Sequence, residues 1–288
     1  AHGQFVLPEG ASVETSVQIS MRDGARLNAD VYLPAQGSGP VPAILVRTPY
    51  DGEMTSRASL HQRLLESGYA IVESHERGRY FSDGTYVMLG HSVEDGTDLM
   101  DWIVAQDWSN GDIGTLGCSS SAEIQLQMGV AGHPALRAMV AQSTGVGVAE
   151  AGPFHEQGNF WRGGVWQQGW MDYFLGSTVQ NWPQLPEGLS DEERQALTDV
   201  FELSNLNWAR DKAEFDAHRM DLPMVDIAAN MGGPQNELRS YLEAGLVDDS
   251  WGVNRVSEGE MIAIPTLWTE AMFDISARST VAYFDWNR

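Results

Sequence analysis

The run Gly117-Cys118-Ser119-Ser120-Ser121 sets a serine among small residues, between the apolar stretch Ile113–Leu116 and the helix-spaced stretch Ile124–Val130. A serine where a strand hands over to a helix can be held on a tight turn, with its oxygen exposed at the strand's carboxyl end. This requires small residues two before and two after it, because the backbone packs closely there. Gly117 and Ser121 meet that demand, Ser121 standing where a glycine is usual. Such a turn supports nucleophilic attack on a carbonyl, with the backbone N–H of Ser120, at the start of the helix, aimed at the developing oxyanion. The same residues also make an ordinary serine-rich strand-to-helix turn. Their neighbours must decide between the two.

Other reactive side chains offer less. The seven histidines are His2, His61, His75, His91, His133, His155 and His218. His133 precedes a proline after the serine helix and reads as structural, whereas His75, after a core strand, and His155 could each approach the serine as a base. Cys118 should point away from the side of the strand that Ser119 faces, which makes it a buried structural thiol. The pairs Asp248-Asp249 and Glu192-Glu193 read as solvated faces. No His and carboxylate spacing indicates a metal, there is no Cys-x-x-Cys, and no glycine-rich loop follows the first strand to cradle a phosphate. No cofactor or metal is expected.

The elements that must position the serine are alternating strands and helices over the first 143 residues. Val13–Ser20 and Leu27–Leu33 alternate polar and apolar residues around the turn Met21-Arg22-Asp23-Gly24, a hairpin at a sheet edge. Ala43–Val46 and Ala70–Val72 are continuous apolar runs, as in strands covered on both faces. Leu60–Leu65 and Gly96–Val104 carry helical spacing, and Leu136–Val140 is a further strand. This alternation predicts a mostly parallel, doubly wound sheet. Past Ser143 the character changes. Six of the ten tryptophans (Trp161, Trp166, Trp170, Trp182, Trp208 and Trp251) fall in a stretch of helical spacing with no clear strand. Ser190 with Glu193 forms a capping box expected to open a helix through Leu203. Ile262–Trp268 reads as a strand and Ile275–Phe284 as a helix. The division expected is a core over 1–145 and 256–288, with a helical lid over 146–255.

Composition bounds the function. Hydrophobic residues make up 42% and charged residues 20% of 288, enough for a sizeable core. Lys and Arg number 17 against 40 Asp and Glu, a formal charge of −23. That field repels phosphate backbones and anionic lipid, so neither nucleic acid nor a membrane is an expected partner. No apolar run approaches the roughly 18 residues that span a bilayer. A chain opening Ala1-His2-Gly3 fits either a removed signal peptide, hence a secreted or periplasmic protein, or a trimmed terminus. With one cysteine, the redox compartment is not readable.

The neighbours of the serine turn carry a resemblance. Met21-Arg22-Asp23-Gly24, Ala29-Asp30-Val31-Tyr32-Leu33-Pro34 and Arg47-Thr48-Pro49-Tyr50-Asp51 are followed by Gly68-Tyr69-Ala70-Ile71-Val72, Arg77-Gly78-Arg79 and Ser82-Asp83-Gly84. Glu94-Asp95-Gly96-Thr97-Asp98 and Gln106-Asp107-Trp108-Ser109-Asn110-Gly111 lead into the turn. His133-Pro134-Ala135-Leu136, Gly158-Asn159-Phe160, Asp248-Asp249-Ser250-Trp251 and Ile264-Pro265-Thr266-Leu267 with Phe273-Asp274-Ile275 come after it. In this order and over almost the whole chain, the set resembles the cocaine esterase and X-Pro dipeptidyl-peptidase family of serine hydrolases, which includes α-amino-acid ester hydrolases and glutaryl acylases. The resemblance implies an α/β-hydrolase fold with an inserted helical lid. It also implies hydrolysis or acyl transfer on small esters or amides through an acyl-enzyme. Ser119 matches the nucleophile, and Tyr50 matches the tyrosine whose hydroxyl joins the Ser120 N–H in the oxyanion hole. Asp274 matches the acid that orients a histidine. Read without the family, Tyr50 is a half-buried aromatic and Asp274 a helix cap.

Four departures qualify the match. Ser120 replaces the usual tyrosine after the nucleophile, Ala122 replaces a glycine, and Ser74-His75-Glu76 stands where an aspartate is usual before Arg-Gly-Arg. The fourth concerns the base. The family places its histidine a few tens of residues beyond the acid, ahead of a jelly-roll domain, whereas Arg288 lies fourteen residues after Asp274. The C-terminal part of the family architecture is therefore expected to be missing. The histidine is expected from a C-terminal continuation or a second polypeptide, and these 288 residues alone are expected to be poorly active. The rival expectation is a non-catalytic scaffold that keeps the pocket and binds ligands without turnover. Among substrates, the tryptophans and the negative charge favour a neutral or cationic aromatic acyl group over an anionic one.

Overall fold

A computed structural model describes residues 5–35, 37, 39–50, 57–84, 86–147, 156–157, 161–162, 165–167, 190, 192–193, 217–218, 220–230, 239, 242–243, 256–257, 259–274 and 277–287. The amino-terminal strands are β1 (Ser12–Ser20), β2 (Arg26–Leu33) and β3 (Val41–Thr48). Helix α1 (Ala58–Glu66), β4 (Ala70–His75), α2 (Ser92–Val104), β5 (Ser109–Cys118), α3 (Ser120–Ala131) and β6 (Leu136–Gln142) follow. Three short strands come next, β7 (Glu156–Gln157), β8 (Trp161–Arg162) and β9 (Val165–Trp166). A short α4 (Ile227–Asn230), β10 (Thr266–Thr269) and α5 (Ala277–Trp286) complete the described elements.

Seven strands form one sheet in the order β1-β2-β4-β3-β5-β6-β10. The hairpin β1–β2 is antiparallel, β2 pairs antiparallel with β4, and the remaining ladder from β4 to β10 is parallel. The sheet is mostly parallel, as the sequence predicts. Both faces are covered, with a period of two along each central strand. Ala43 and Leu45 of β3 and Ala70 and Val72 of β4 enter the cluster built with Leu99, Met100 and Ile103 of α2 and with Ala122, Leu126 and Met128 of α3. Their neighbours Val46 and Ile71 face the other way, against Leu65 of α1.

The chain runs from β3 outward to β4, then returns to β5 on the opposite side of β3. Two adjacent parallel strands whose connections leave in opposite directions open a crevice at their carboxyl ends, where ligands bind in open α/β sheets. The residues that follow β3 and β5 are Pro49-Tyr50 and Ser119.

The stretch 146–255 departs from the all-helical expectation. Strands β7, β8 and β9 form a small antiparallel sheet, with Trp161 paired to Trp166 in register and their rings edge-to-face at 5.3 Å. Gly163-Gly164, between β8 and β9 in the sequence, is a two-residue hairpin signal. The capping box is present: the N–H and the hydroxyl of Ser190 both donate to a Glu193 carboxylate oxygen at 2.9 Å, and the Glu193 N–H donates back to Ser190 Oγ at 3.2 Å. Most of the helix expected through Leu203 lies outside the described residues, as do Trp170, Trp182, Trp208 and Trp251.

Candidate active site

Ser119 separates β5 from α3 and is exposed, with φ 57° and ψ −130°, a backbone region that non-glycine residues rarely occupy. Several contacts over-determine this turn. The Ser119 N–H donates to the Gln142 carbonyl at 2.9 Å, and the Ser119 carbonyl accepts from Ala122 and Glu123 at 2.8 and 3.0 Å. Gly117 is required sterically, since a Cβ there would sit 2.1 Å from the Ser121 carbonyl oxygen. Ser121 is fully buried, and its hydroxyl donates to Thr48 Oγ1 at 3.0 Å. A serine thus serves where a glycine is usual, its extra oxygen being hydrogen-bonded. Ala122 is buried in the main core cluster, and α3 continues through it. Ser120 is buried as the first residue of α3, so its backbone N–H has no carbonyl one turn earlier within the helix to bond.

Tyr50 comes to the serine from β3. Its hydroxyl donates to Ser119 Oγ at 3.3 Å. An oxyanion donor is placed for the charge that develops, not for the resting hydroxyl, so a loose contact with Oγ suits the role. The peptide N–H of Tyr50 donates to Thr48 Oγ1 at 3.1 Å. Ser119, Ser120 and Tyr50 are therefore brought together, from two strands adjacent in space and 69 residues apart for the Tyr50–Ser119 contact.

Asp274 lies in the turn between β10 and α5, at the same end of the sheet as Ser119: β5, β6 and β10 run parallel, with Cys118 beside Gln142 and Gln142 beside Thr269. Its N–H donates to the Ala271 carbonyl at 2.9 Å, and its own carbonyl accepts from Ala277 at 3.4 Å. A triad acid reaches its serine through an imidazole, not directly. Near it is Glu123, on α3 one turn past Ser119, which sequence reasoning missed. Glu123 Oε1 accepts the Gly145 N–H at 2.8 Å. Burial pushes this carboxyl up to about 7; hydrogen bonds from Gly145 and Gly147 oppose the rise, and the nearby charges of Asp274 and Glu270 reinforce it. The signal for it was the lone charged side chain of an otherwise uncharged helix.

His75, His133 and His218 are engaged elsewhere; His61 is buried in α1 and His91 stands just before α2. His75 is packed against the Tyr80 ring, 4.7 Å between centroids, and shares a backbone hydrogen bond with Tyr50. Burial, with the Arg79 charge, pushes its imidazole down to about 3, far from the value a general base needs at neutral pH. His133 Nε2 lies 3.1 Å from Asp101 and its Nδ1 accepts the Ala135 N–H, the structural role expected of it. His218 pairs with Asp221. His2 and His155 lie outside the described residues. Cys118 is a free, half-buried thiol. Among the described residues, no cluster of His, Cys, Asp and Glu could hold a metal ion, and no helix is long and apolar enough to cross a membrane.

A serine held on a strained strand-to-helix turn at the switch point of a mostly parallel sheet, with its helix on the far side, defines an α/β hydrolase. Solved structures agree on the fold. An aminopeptidase from the marine sediment archaeon Thaumarchaeota archaeon superposes over 96% of this chain with a TM-score of 0.66 at 21% identity, and an α-amino acid ester hydrolase over 98% with a TM-score of 0.63 at 22% identity. Residues 23–287 match the X-Pro dipeptidyl-peptidase (S15) family, and the chain belongs to it. The cocaine esterase of Rhodococcus sp. (strain MB1 Bresler) is 36% identical over 132 residues, 44% of this chain. The chain spans only part of these proteins: the match takes in 23% of the cocaine esterase, and 46% and 47% of the two solved chains.

Proposed function

We propose that this chain carries the nucleophile, oxyanion hole and acid of a serine hydrolase or acyltransferase acting on small esters or amides. The observation that carries the reading is the Tyr50 hydroxyl 3.3 Å from Ser119 Oγ, at the turn from which α3 begins at Ser120. Ser119 Oγ attacks the substrate carbonyl carbon and its proton passes to a base. The carbonyl oxygen takes the negative charge and receives hydrogen bonds from the Tyr50 hydroxyl and the Ser120 N–H. Collapse breaks the bond to the alcohol or amine, which leaves with the proton from the base, and the acyl group stays on Ser119. Water then attacks the ester by the same steps in reverse roles.

Asp274 orients the base, an imidazole, and stabilises its charged form. On this reading the histidine comes from a C-terminal continuation or a second polypeptide. Family membership supports it, as do the exposed apolar side chains around Asp274: Phe273 is 97% and Met272 85% exposed, and Leu267 of the edge strand β10 is 60% exposed. The acyl group is aromatic and neutral or cationic; higher kcat/KM for phenylacetyl or phenylglycyl than for glutaryl esters checks this, and a glutaryl preference refutes it.

A fluorophosphonate probe tests the central claim. Labelling of the native full-length protein at Ser119, abolished by Ser119→Ala, is the expected result. A folded, unlabelled protein would instead mark a ligand-binding scaffold.

A further inference from the structure

The hydroxyl of Tyr50 can serve the oxyanion only if the main chain beneath it is held, and the structure shows both polar ends of the Pro49–Tyr50 peptide group fixed. Its N–H donates to Thr48 Oγ1 at 3.1 Å, and its carbonyl, that of Pro49, accepts from Arg79 Nε at 2.9 Å. A peptide group is a rigid plane. Fixing both ends places the Tyr50 Cα, from which the backbone φ and two side-chain torsions carry the hydroxyl to Ser119.

The Thr48 end is tied to the nucleophile turn itself, because Thr48 Oγ1 also accepts the Ser121 hydroxyl at 3.0 Å. The Arg79 end is a different construction. Arg79 is fully buried, its guanidinium lies 5.2 Å from the Tyr80 ring centroid and 5.5 Å from that of Tyr86, and Nη2 reaches the Tyr80 hydroxyl at 3.5 Å. Glu76, also buried, adds opposing charge nearby, and no hydrogen bond reaches its carboxylate oxygens. Taking a guanidinium fully out of water is costly. Neighbouring Arg77 pairs with Asp95 at 2.6 Å and Asp23 at 2.7 Å, and Arg79 donates its Nε–H to the carbonyl beside Tyr50.

We propose that Arg79 is a positioning residue for acyl transfer, acting through the Pro49 carbonyl to aim the Tyr50 hydroxyl at the oxyanion. This rests on the reading of Tyr50 as an oxyanion donor. Loss of the clamp lets the Pro49–Tyr50 plane rotate, and a displacement near 1 Å at the hydroxyl is enough to cost on the order of a hundredfold in rate. Binding of the ground state, which does not need that hydroxyl, is spared.

The test is a double-mutant cycle on the full-length protein with a p-nitrophenyl ester, following kcat and KM separately, with circular dichroism to confirm folding. Arg79→Met is expected to lower kcat by about tenfold or more with KM within about twofold. Arg79→Lys, which keeps a donor for the carbonyl, should recover part of the loss. In a Tyr50→Phe background the Arg79→Met effect should shrink below about twofold, because the group it positions is gone. An undiminished loss in that background, or an unchanged kcat in Arg79→Met, overturns the proposal. Should Arg79→Met not fold, Arg79→Leu in the same cycle decides on the same terms. If Tyr50→Phe alone leaves kcat unchanged, the oxyanion reading of Tyr50 fails and this proposal with it. A normal Tyr50→Phe loss with an inert Arg79 rejects Arg79 alone.

Discussion

Tyr50 and Ser119 meet at 3.3 Å across the switch point of the sheet, one after β3 and the other after β5. Their approach follows from strand order alone: β3 and β5 are adjacent and parallel, so whatever follows their carboxyl ends shares one crevice. On the proposed reading the hydroxyl serves charge that appears only after attack, so Tyr50→Phe should lower kcat by about a hundredfold and leave KM nearly unchanged. Steady-state kinetics on an aryl ester decide this; a rise in KM at constant kcat would make Tyr50 a binding residue instead.

The turn at Ser119 stores strain. Ser119 holds φ 57° and ψ −130° in a region open essentially to glycine. Ser119→Gly should therefore abolish turnover while raising stability by about 1 kcal/mol, the relieved strain exceeding the added chain entropy of glycine. Ser119→Ala keeps a Cβ and should lose activity without that gain. Urea melts of the two variants against the parent separate the cases, and equal stability of Gly and Ala variants would show that the turn is unstrained.

Much of this site was legible in the sequence, for a physical reason. Gly117, Ser119 and Ser121 are dictated by local backbone geometry, and local geometry leaves a local pattern. The central strands read well because two-sided burial leaves continuous apolar runs, as at Ala43–Val46 and Ala70–Val72. Tyr50 and Asp274 carry no such mark. Each is one ordinary side chain after a strand, and only the family resemblance assigned their roles. Glu123 and Arg79 escaped because their significance is tertiary: one accepts N–H groups from the loop after β6, the other clamps a carbonyl 30 residues away. The strands β8 and β9 escaped because two-residue strands are too short to show a period.

Glu123 predicts a pH dependence of stability. Its carboxyl is pushed up to about 7 in the folded protein, chiefly by burial, from an ordinary value of 4.5. Between those values the folded state binds more protons than the unfolded one, so stability falls as pH rises from about 4.5 through about 7 and stays lower above it. Buried Glu76, also raised to about 7, acts in the same direction. Glu123→Gln should remove its own share, up to about 3 kcal/mol, and leave the slope of Glu76 together with the opposing one of His75, whose lowered imidazole raises stability as pH rises toward about 6.5. Denaturant melts between pH 5 and pH 8 measure this; an unchanged slope in Glu123→Gln would show that Glu123 is ionised throughout.

The base decides the activity of these 288 residues by themselves. A serine hydroxyl is a weak nucleophile at neutral pH until a positioned group takes its proton. His75, His133 and His218 do not supply one: His75 is buried beside the Tyr50 backbone with its imidazole pushed down to about 3, and His133 and His218 are bound to Asp101 and Asp221. Losing one member of a triad costs up to about a millionfold in kcat, leaving only what the oxyanion hole and binding provide. The purified 288-residue chain should therefore hydrolyse p-nitrophenyl acetate barely above background. A native polypeptide that contributes the histidine should be fully active and should label at Ser119. The two preparations are compared by turnover, with intact mass establishing which polypeptide each contains. Robust, Ser119-dependent turnover by the 288-residue chain alone would refute the external base, and His155 would then be the first residue to replace.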